Sequence, residues 1–396
     1  MADVFAIGDM HGCYDSYCAL LCAAGLVNSS CHWTGGRALL VQTGDLVDRG
    51  PGSLANLRLT RRLQEEARQA GGEVRFLLGG HEVFALAAAQ GNDWAFLNWF
   101  SAQNGGSMTL LEWLAAGDFP AALGDEELAT LYGAFLGQFG SGEFGAWLMG
   151  SPTCTNVDGT VFVHAGISRE VPQDCDSLND QASRSLQDLR QYLTSSRDPI
   201  LGRRGPYWVR DIGRDEVDSV LSANDSRRII CGHNPAPGVT ALFDAKNVVI
   251  DTGVVRGGPP LAVRVMPDGL VVFDSRGNEQ TMLYSLQADN SGAKRLSLAP
   301  ASGRFGRGDI VEFYHSPMTD ARAFVKVQDV WASGRESYYS GRQVAFIPDR
   351  RQDAIRFNGN ETWMYHASFI ERVGVPAAEA ARSMPAELSR ALKYIS

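Results

Sequence analysis

The sequence predicts an α/β layered fold followed by a small all-β module, on three observations. Short, mostly apolar runs recur up to Ile250, and each ends abruptly in Gly, Asp, Asn or His. Helical patterns separate the early runs, giving β-α-β-α alternation. Beyond residue 300 the texture changes to closely spaced short strands divided by turn residues. A chain of 396 residues can bury one large core and carry one small appended domain. With 44% hydrophobic and 20% charged residues, disorder is excluded.

The expected strands are Val4–Ile7, Ala38–Gln42, Val74–Leu78, Val161–Val163, Arg228–Cys231 and Val248–Ile250. Such continuous runs bounded by turn residues suit strands covered on both faces. Ser16–Ala24 and Ser53–Gln69 read as helices between them. Residues 83–150 read as several helices broken at Asn104-Gly105-Gly106 and holding Trp94, Trp99, Trp113 and Trp147. That insert is either ordinary core or a cap over a site. Residues 171–206 are polar and suit a surface excursion with one helix, and Leu261–Val265 with Leu270–Phe273 form a closing hairpin. The last candidates, Asp309–Tyr314, Ala323–Trp331, Gln343–Ile347, Ala354–Phe357 and Thr362–His366, suggest a small barrel resembling an SH3-like fold. The expected domains are therefore 1–285, containing the helical insert, and 300–375, with 376–396 as a C-terminal helix or tail. Modules of the SH3-like kind bind peptides, which makes a peptide or protein partner the expectation for the second domain.

The net charge of −9 argues against nucleic acid as a partner. Residues 1–300 carry −11 and residues 301–396 carry +2, which agrees with a boundary near 300. No basic segment leads into a long apolar stretch at the start, and no run reaches the length of a membrane span, so neither a signal peptide nor a membrane is expected. Seven cysteines, an odd number scattered through the chain, suggest reduced thiols and a cytoplasmic protein. Cys18 and Cys22 lie a helical turn apart and Cys31 precedes His32, a pattern open to either apolar packing or a zinc site.

Chemistry concentrates at the strand ends. After the first three strands come Gly8-Asp9-Met10-His11-Gly12, then Gly44-Asp45-Leu46-Val47-Asp48-Arg49-Gly50, then Gly79-Gly80-His81-Glu82. His164 and His233 close two later runs beside glycine. Carboxylates and imidazoles on loops at the ends of parallel strands can meet over one crevice, and they are the ligands that suit Mn, Fe or Zn. One such residue is usually a turn or cap; five sites in one chain point to a metal centre.

These blocks resemble the signature of the phosphoprotein phosphatase family of calcineurin-like metallophosphoesterases: GDxHG, GDxVDRG, GNHE and two later histidines. The resemblance covers roughly residues 1–275 and implies a central β-sandwich flanked by helices, holding two metal ions, Mn above all, with Fe or Zn as alternatives. It implies Asp9, His11 and Asp45 as ligands of one metal, and Asp45, His164 and His233 as ligands of the other. Arg49 and Arg210 would clamp phosphate, with a surface ion pair as the lesser alternative for Arg210. His81, oriented by Asp48, would protonate the leaving oxygen. Gly80 stands where the family has Asn, which removes an amide ligand and predicts weaker binding of the second metal. The implied activity is phosphate monoester hydrolysis on serine/threonine, or tyrosine, phosphoproteins or small phosphorylated molecules. The alternatives are a diadenosine polyphosphate hydrolase (a bis(5'-nucleosyl)-tetraphosphatase) and a metal-impaired binding scaffold.

Overall fold

The computed structural model describes residues 2–117, 125–191, 198–236, 238–267, 269–283, 310–316, 319–333, 336–347, 362–366 and 370–372. The chain divides into two compact units, Met1–Arg295 and Leu296–Ser396.

In the first unit, β1 (Val4–Ile7), β2 (Leu39–Gln42) and β3 (Glu73–Phe76) run parallel, joined through α1 (Tyr14–Ala23) and α2 (Ser53–Gln69). A second sheet has the order β4-β5-β6-β8-β7, from β4 (Cys154–Val157), β5 (Thr160–Val163), β6 (Arg228–Cys231), β7 (Thr240–Leu242) and β8 (Asn247–Val249). Its strands β5, β6 and β8 are parallel. The expected hairpin forms as β9 (Leu261–Met266) and β10 (Gly269–Asp274), and β11 (Glu279–Leu283) follows it. β9 lies antiparallel to β1, so the first sheet reads β11-β10-β9-β1-β2-β3. Both sheets are mixed.

The strands are apolar on both sides because both sides are covered. Val4, Ala6 and Val41 from one sheet join Phe162, Ile230 and Val248 from the other in a shared core. The alternate residues Phe5, Ile7, Leu40, Val161, Val163 and Ile229 join the core that also contains the helix residues Tyr17, Leu57, Leu63 and Val217. A pleat with period two thus feeds two cores, which is why each run reads as continuous. The result is the helix-flanked sandwich that the resemblance implied.

The insert is helical, as α3 (Gly80–Ala89), α4 (Asp93–Trp99), α5 (Gly106–Ala116), α6 (Asp125–Gly137) and α7 (Gly145–Met149). Trp99 is fully buried and stacks on Phe135 at 5.5 Å, so at this tryptophan the insert is core. Within 171–206 the helix is α8 (Cys175–Leu186), whose buried Leu178, Ala182 and Leu186 join the main core; it is more than a surface excursion. The expectation of seven reduced thiols is corrected here. Cys154 at the start of β4 and Cys175 at the start of α8 form a disulfide, their Cα atoms 5.4 Å apart. Packing of α8 brings the pair together, and a sequence separation of 21 carries no sign of it. The other five cysteines are free. α9 (Arg214–Ala223) precedes β6. No helix among the described residues is long and apolar enough to cross a membrane.

The second unit holds β12 (Ile310–Ser316), β13 (Thr319–Ser333), β14 (Glu336–Ile347), β15 (Thr362–His366) and β16 (Ile370–Arg372) in one antiparallel sheet of order β15-β14-β13-β12-β16. All-β texture is therefore present. The SH3-like closure is not: among the described residues no ladder joins β15 to β16. Ala354–Phe357 and the expected helix or tail at 376–396 lie outside the described residues.

Candidate metal centre

The C-terminal ends of five parallel strands, three from the first sheet and two from the second, deliver the predicted residues to one buried cluster. Asp9 and His11 follow β1, Asp45 follows β2, His81 opens α3 after β3, His164 follows β5, and His233 follows β6. All six are buried. Two groups of ligand atoms lie within 4.8 Å of one another, His11–Asp45–His81 and Asp45–His164–His233. Asp45 belongs to both. Its Oδ2 lies 3.6 Å from His11 Nε2, 3.5 Å from His164 Nε2 and 4.0 Å from His81 Nε2. Asp9 stands beside the first group, with Oδ2 3.9 Å from His11 Nε2, and accepts the His233 N–H at 3.0 Å. Neither group includes Cys18, Cys22, Cys31 or His32, and His32 instead pairs with Glu66 at 2.8 Å.

The backbone is bent to make this possible. His11, Asp45, Asp48, Arg49 and His233 all have positive φ, between 40° and 73°. A non-glycine residue held there costs about 1–3 kcal/mol, and such strain collects at functional sites. The opposing bonds are local. His11 N–H and Gly12 N–H donate to Asp45 O and Leu46 O, and Gly50 N–H donates back to His11 O. Gly105, at φ +74°, accepts the Arg49 N–H at 3.2 Å. A Cβ there would sit 2.9 Å from the Arg49 backbone, so the Asn104-Gly105-Gly106 segment needs glycine to approach the loop.

The side chains are held as a metal would require. His11 Nδ1 donates to Val47 O at 2.9 Å and His164 Nδ1 to Thr43 O at 2.8 Å, so each turns Nε2 toward Asp45. His164 Nε2 is buried without a hydrogen-bond partner. Burial, then the Arg49 guanidinium, holds His11 well below the ordinary imidazole range; burial and Arg210 do the same for His233. Both stay neutral, the state in which imidazole binds metal. Burial opposes charge on Asp45, yet His164, His81 and His11 hold its carboxyl well below the usual range. Burial also opposes charge on His164, but Asp45 raises it to about 10. The site draws positive charge toward Asp45. Buried carboxylates, the neutral imidazoles of His11 and His233 and the inward-facing Nε2 of His164 fit a pair of divalent cations.

Beside them, His81 Nδ1 meets Asp48 Oδ2 at 2.6 Å. The Asp48 carboxylate also accepts Trp99 Nε1 at 2.8 Å and Thr109 Oγ1 at 2.7 Å, so the insert fixes the pair. Arg49 reaches His81 Nε2 at 3.0 Å and also touches His11 Nε2. Arg210 donates to His233 O at 3.2 Å and Asn234 Oδ1 at 3.0 Å, which places it at the cluster and not in a remote ion pair.

Three contributors were not singled out from sequence. Glu82 is fully buried and accepts the N–H groups of Asp45, Leu46, Val47 and Gly79 at 2.8–3.3 Å, so it shapes the Asp45 loop. Burial, then Asp45, pushes its carboxyl up to about 7. Asp251, just past β8, is buried next to Asp9 and raises that carboxyl, second to burial itself. Its signal was available: it closes the last of the six runs as the others do. Trp208 takes up the space beside Gly80.

A family model described as calcineurin-like phosphoesterase matches residues 2–258. Shewanella-like protein phosphatase 2 of Arabidopsis thaliana is 42% identical over 81 residues, 20% of this chain and 21% of that one. A symmetrical bis(5'-nucleosyl)-tetraphosphatase of Cronobacter sakazakii is 44% identical over 87 residues, 22% of this chain and 26% of that one. Each of these two matches thus spans about a quarter or less of the relative. Among solved structures, the cold-active protein-tyrosine phosphatase of a psychrophilic Shewanella species shares the fold, with TM-score 0.56 and 22% identity, over 71% of this chain and 80% of that one.

Proposed function

The chain belongs to the calcineurin-like phosphoesterase family of hydrolases, which use a dinuclear metal centre, and from that premise we propose a metal-dependent phosphatase acting on the monoesters of phosphoproteins. One observation carries the reading: Asp45 stands between two imidazole-bearing groups, with the His81–Asp48 pair alongside. Asp9, His11, Asp45, His164 and His233 are the metal ligands in this reading. Two cations held there would activate water near neutral pH and offset the charge of the phosphoryl oxygens.

The chain's own residues do the rest. Arg49 and Arg210 present planar guanidinium groups that match phosphoryl oxygens in pairs. His81 gives its Nε2 proton to the leaving alkoxide. Asp48 holds the opposite nitrogen and orients the ring. The protein phosphatase relative supports a protein substrate. The tetraphosphatase relative, matching a similar length, supports dinucleotide polyphosphates as the second reading.

A substrate panel separates them. With Mn present, kcat/KM on phosphoseryl, phosphothreonyl or phosphotyrosyl peptides is expected to exceed that on diadenosine tetraphosphate by about tenfold or more, a difference of about 1.4 kcal/mol in the barrier. Chelation should abolish both. The reverse ratio favours the dinucleotide reading, and no turnover on any substrate favours a binding scaffold.

A further inference from the structure

Gly80 and Trp208 meet at the candidate centre. Trp208 lies in the segment between α8 and α9, two residues before Arg210. A Cβ built on Gly80 would come within 2.3 Å of the indole Cζ3 and 2.7 Å of Cη2. The ring packs on Phe84 at 4.8 Å between centroids and stands 6.5 Å from the His233 ring. The carbonyl of the same residue accepts His233 Nε2–H at 3.2 Å, which leaves Nδ1 for the group with Asp45 and His164.

We propose that Trp208 is a positioning residue for the second metal site, and that glycine at position 80 is the condition for it. The indole fills the volume a side chain at 80 would take, and the tryptophan braces His233 through its carbonyl. This rests on the dinuclear reading above. A rigid indole cannot bend away from a new Cβ; it must rotate as a whole, against Phe84. The alternative, a shift of the first turn of α3, would disturb Glu82 and its four backbone bonds to the Asp45 and Gly79 loops. Either movement reaches the ligands. Gly80 is therefore coupled to Trp208 and is not a simple loss of an amide.

The test is a double-mutant cycle on the full chain with Gly80→Ala, Trp208→Leu and both together, titrated with Mn by calorimetry alongside thermal melting. Gly80→Ala alone should weaken the second Mn by about 10–100-fold, the usual consequence of disturbing a residue behind a ligand. Its activity should recover as Mn is raised. In the Trp208→Leu background the same Gly80→Ala change should alter Mn affinity by less than about threefold, because the colliding ring is gone. Equal penalties in both backgrounds, or a lowered melting temperature with Mn binding unchanged, would overturn the pairing. Fewer than two Mn ions on the unsubstituted chain would instead overturn the dinuclear reading beneath it.

Discussion

Asp45→Asn is expected to lower kcat/KM by about a thousandfold or more while leaving the chain folded. Asp45 is the one carboxylate common to both ligand groups, so its loss weakens both at once. Metal-derived charge stabilisation amounts to several kcal/mol, and about 1.4 kcal/mol corresponds to a tenfold change in rate. The fold should persist because the change is isosteric. Asparagine keeps an oxygen for the His81 N–H, which donates to Asp45 Oδ1 at 2.9 Å. The Asp45 N–H keeps Glu82 as its acceptor at 2.9 Å. Steady-state kinetics in saturating Mn, with a melting curve beside them, check this. A loss smaller than about tenfold would mean that Asp45 does not join two metal sites.

His81→Asn should divide substrates by their leaving groups. On a phosphoseryl peptide, whose alkoxide needs a proton, kcat should fall by about 10²–10⁴-fold, the usual contribution of a positioned acid. On nitrophenyl phosphate, whose phenolate leaves without one, the loss should stay within about tenfold. Asp48→Asn should show the same split at smaller amplitude, since Asp48 acts through the ring that it holds at 2.6 Å. Equal losses on both substrates would assign His81 to metal binding, a role its membership of the first ligand group also allows.

The legible part of the molecule was whatever a short stretch of chain encodes. β6 and α2 match their expected bounds because Arg228–Cys231 and Ser53–Gln69 carry complete local patterns. β7 escaped notice because three residues, Thr240–Leu242, are too few to show a period. The residues of the candidate centre were legible as strand endings next to glycine. What joins them was not. The four bonds that Glu82 accepts and the Trp99 bond to Asp48 cross from 3 to 51 positions of sequence. No periodicity records such partners. Cys154 and Cys175 were misread for the same reason: a thiol's partner is set by the packing of α8. In sequence Gly80 shows only as a missing amide ligand, because Trp208, which fills the space beside it, lies 128 positions away.

Two cations sharing Asp45 can be counted directly. Calorimetric titration of the metal-free chain with Mn should give two ions per chain, with tight binding of both lost in Asp45→Asn. One ion on the unsubstituted chain, or two that survive the substitution, would contradict a shared carboxylate at the centre of this site.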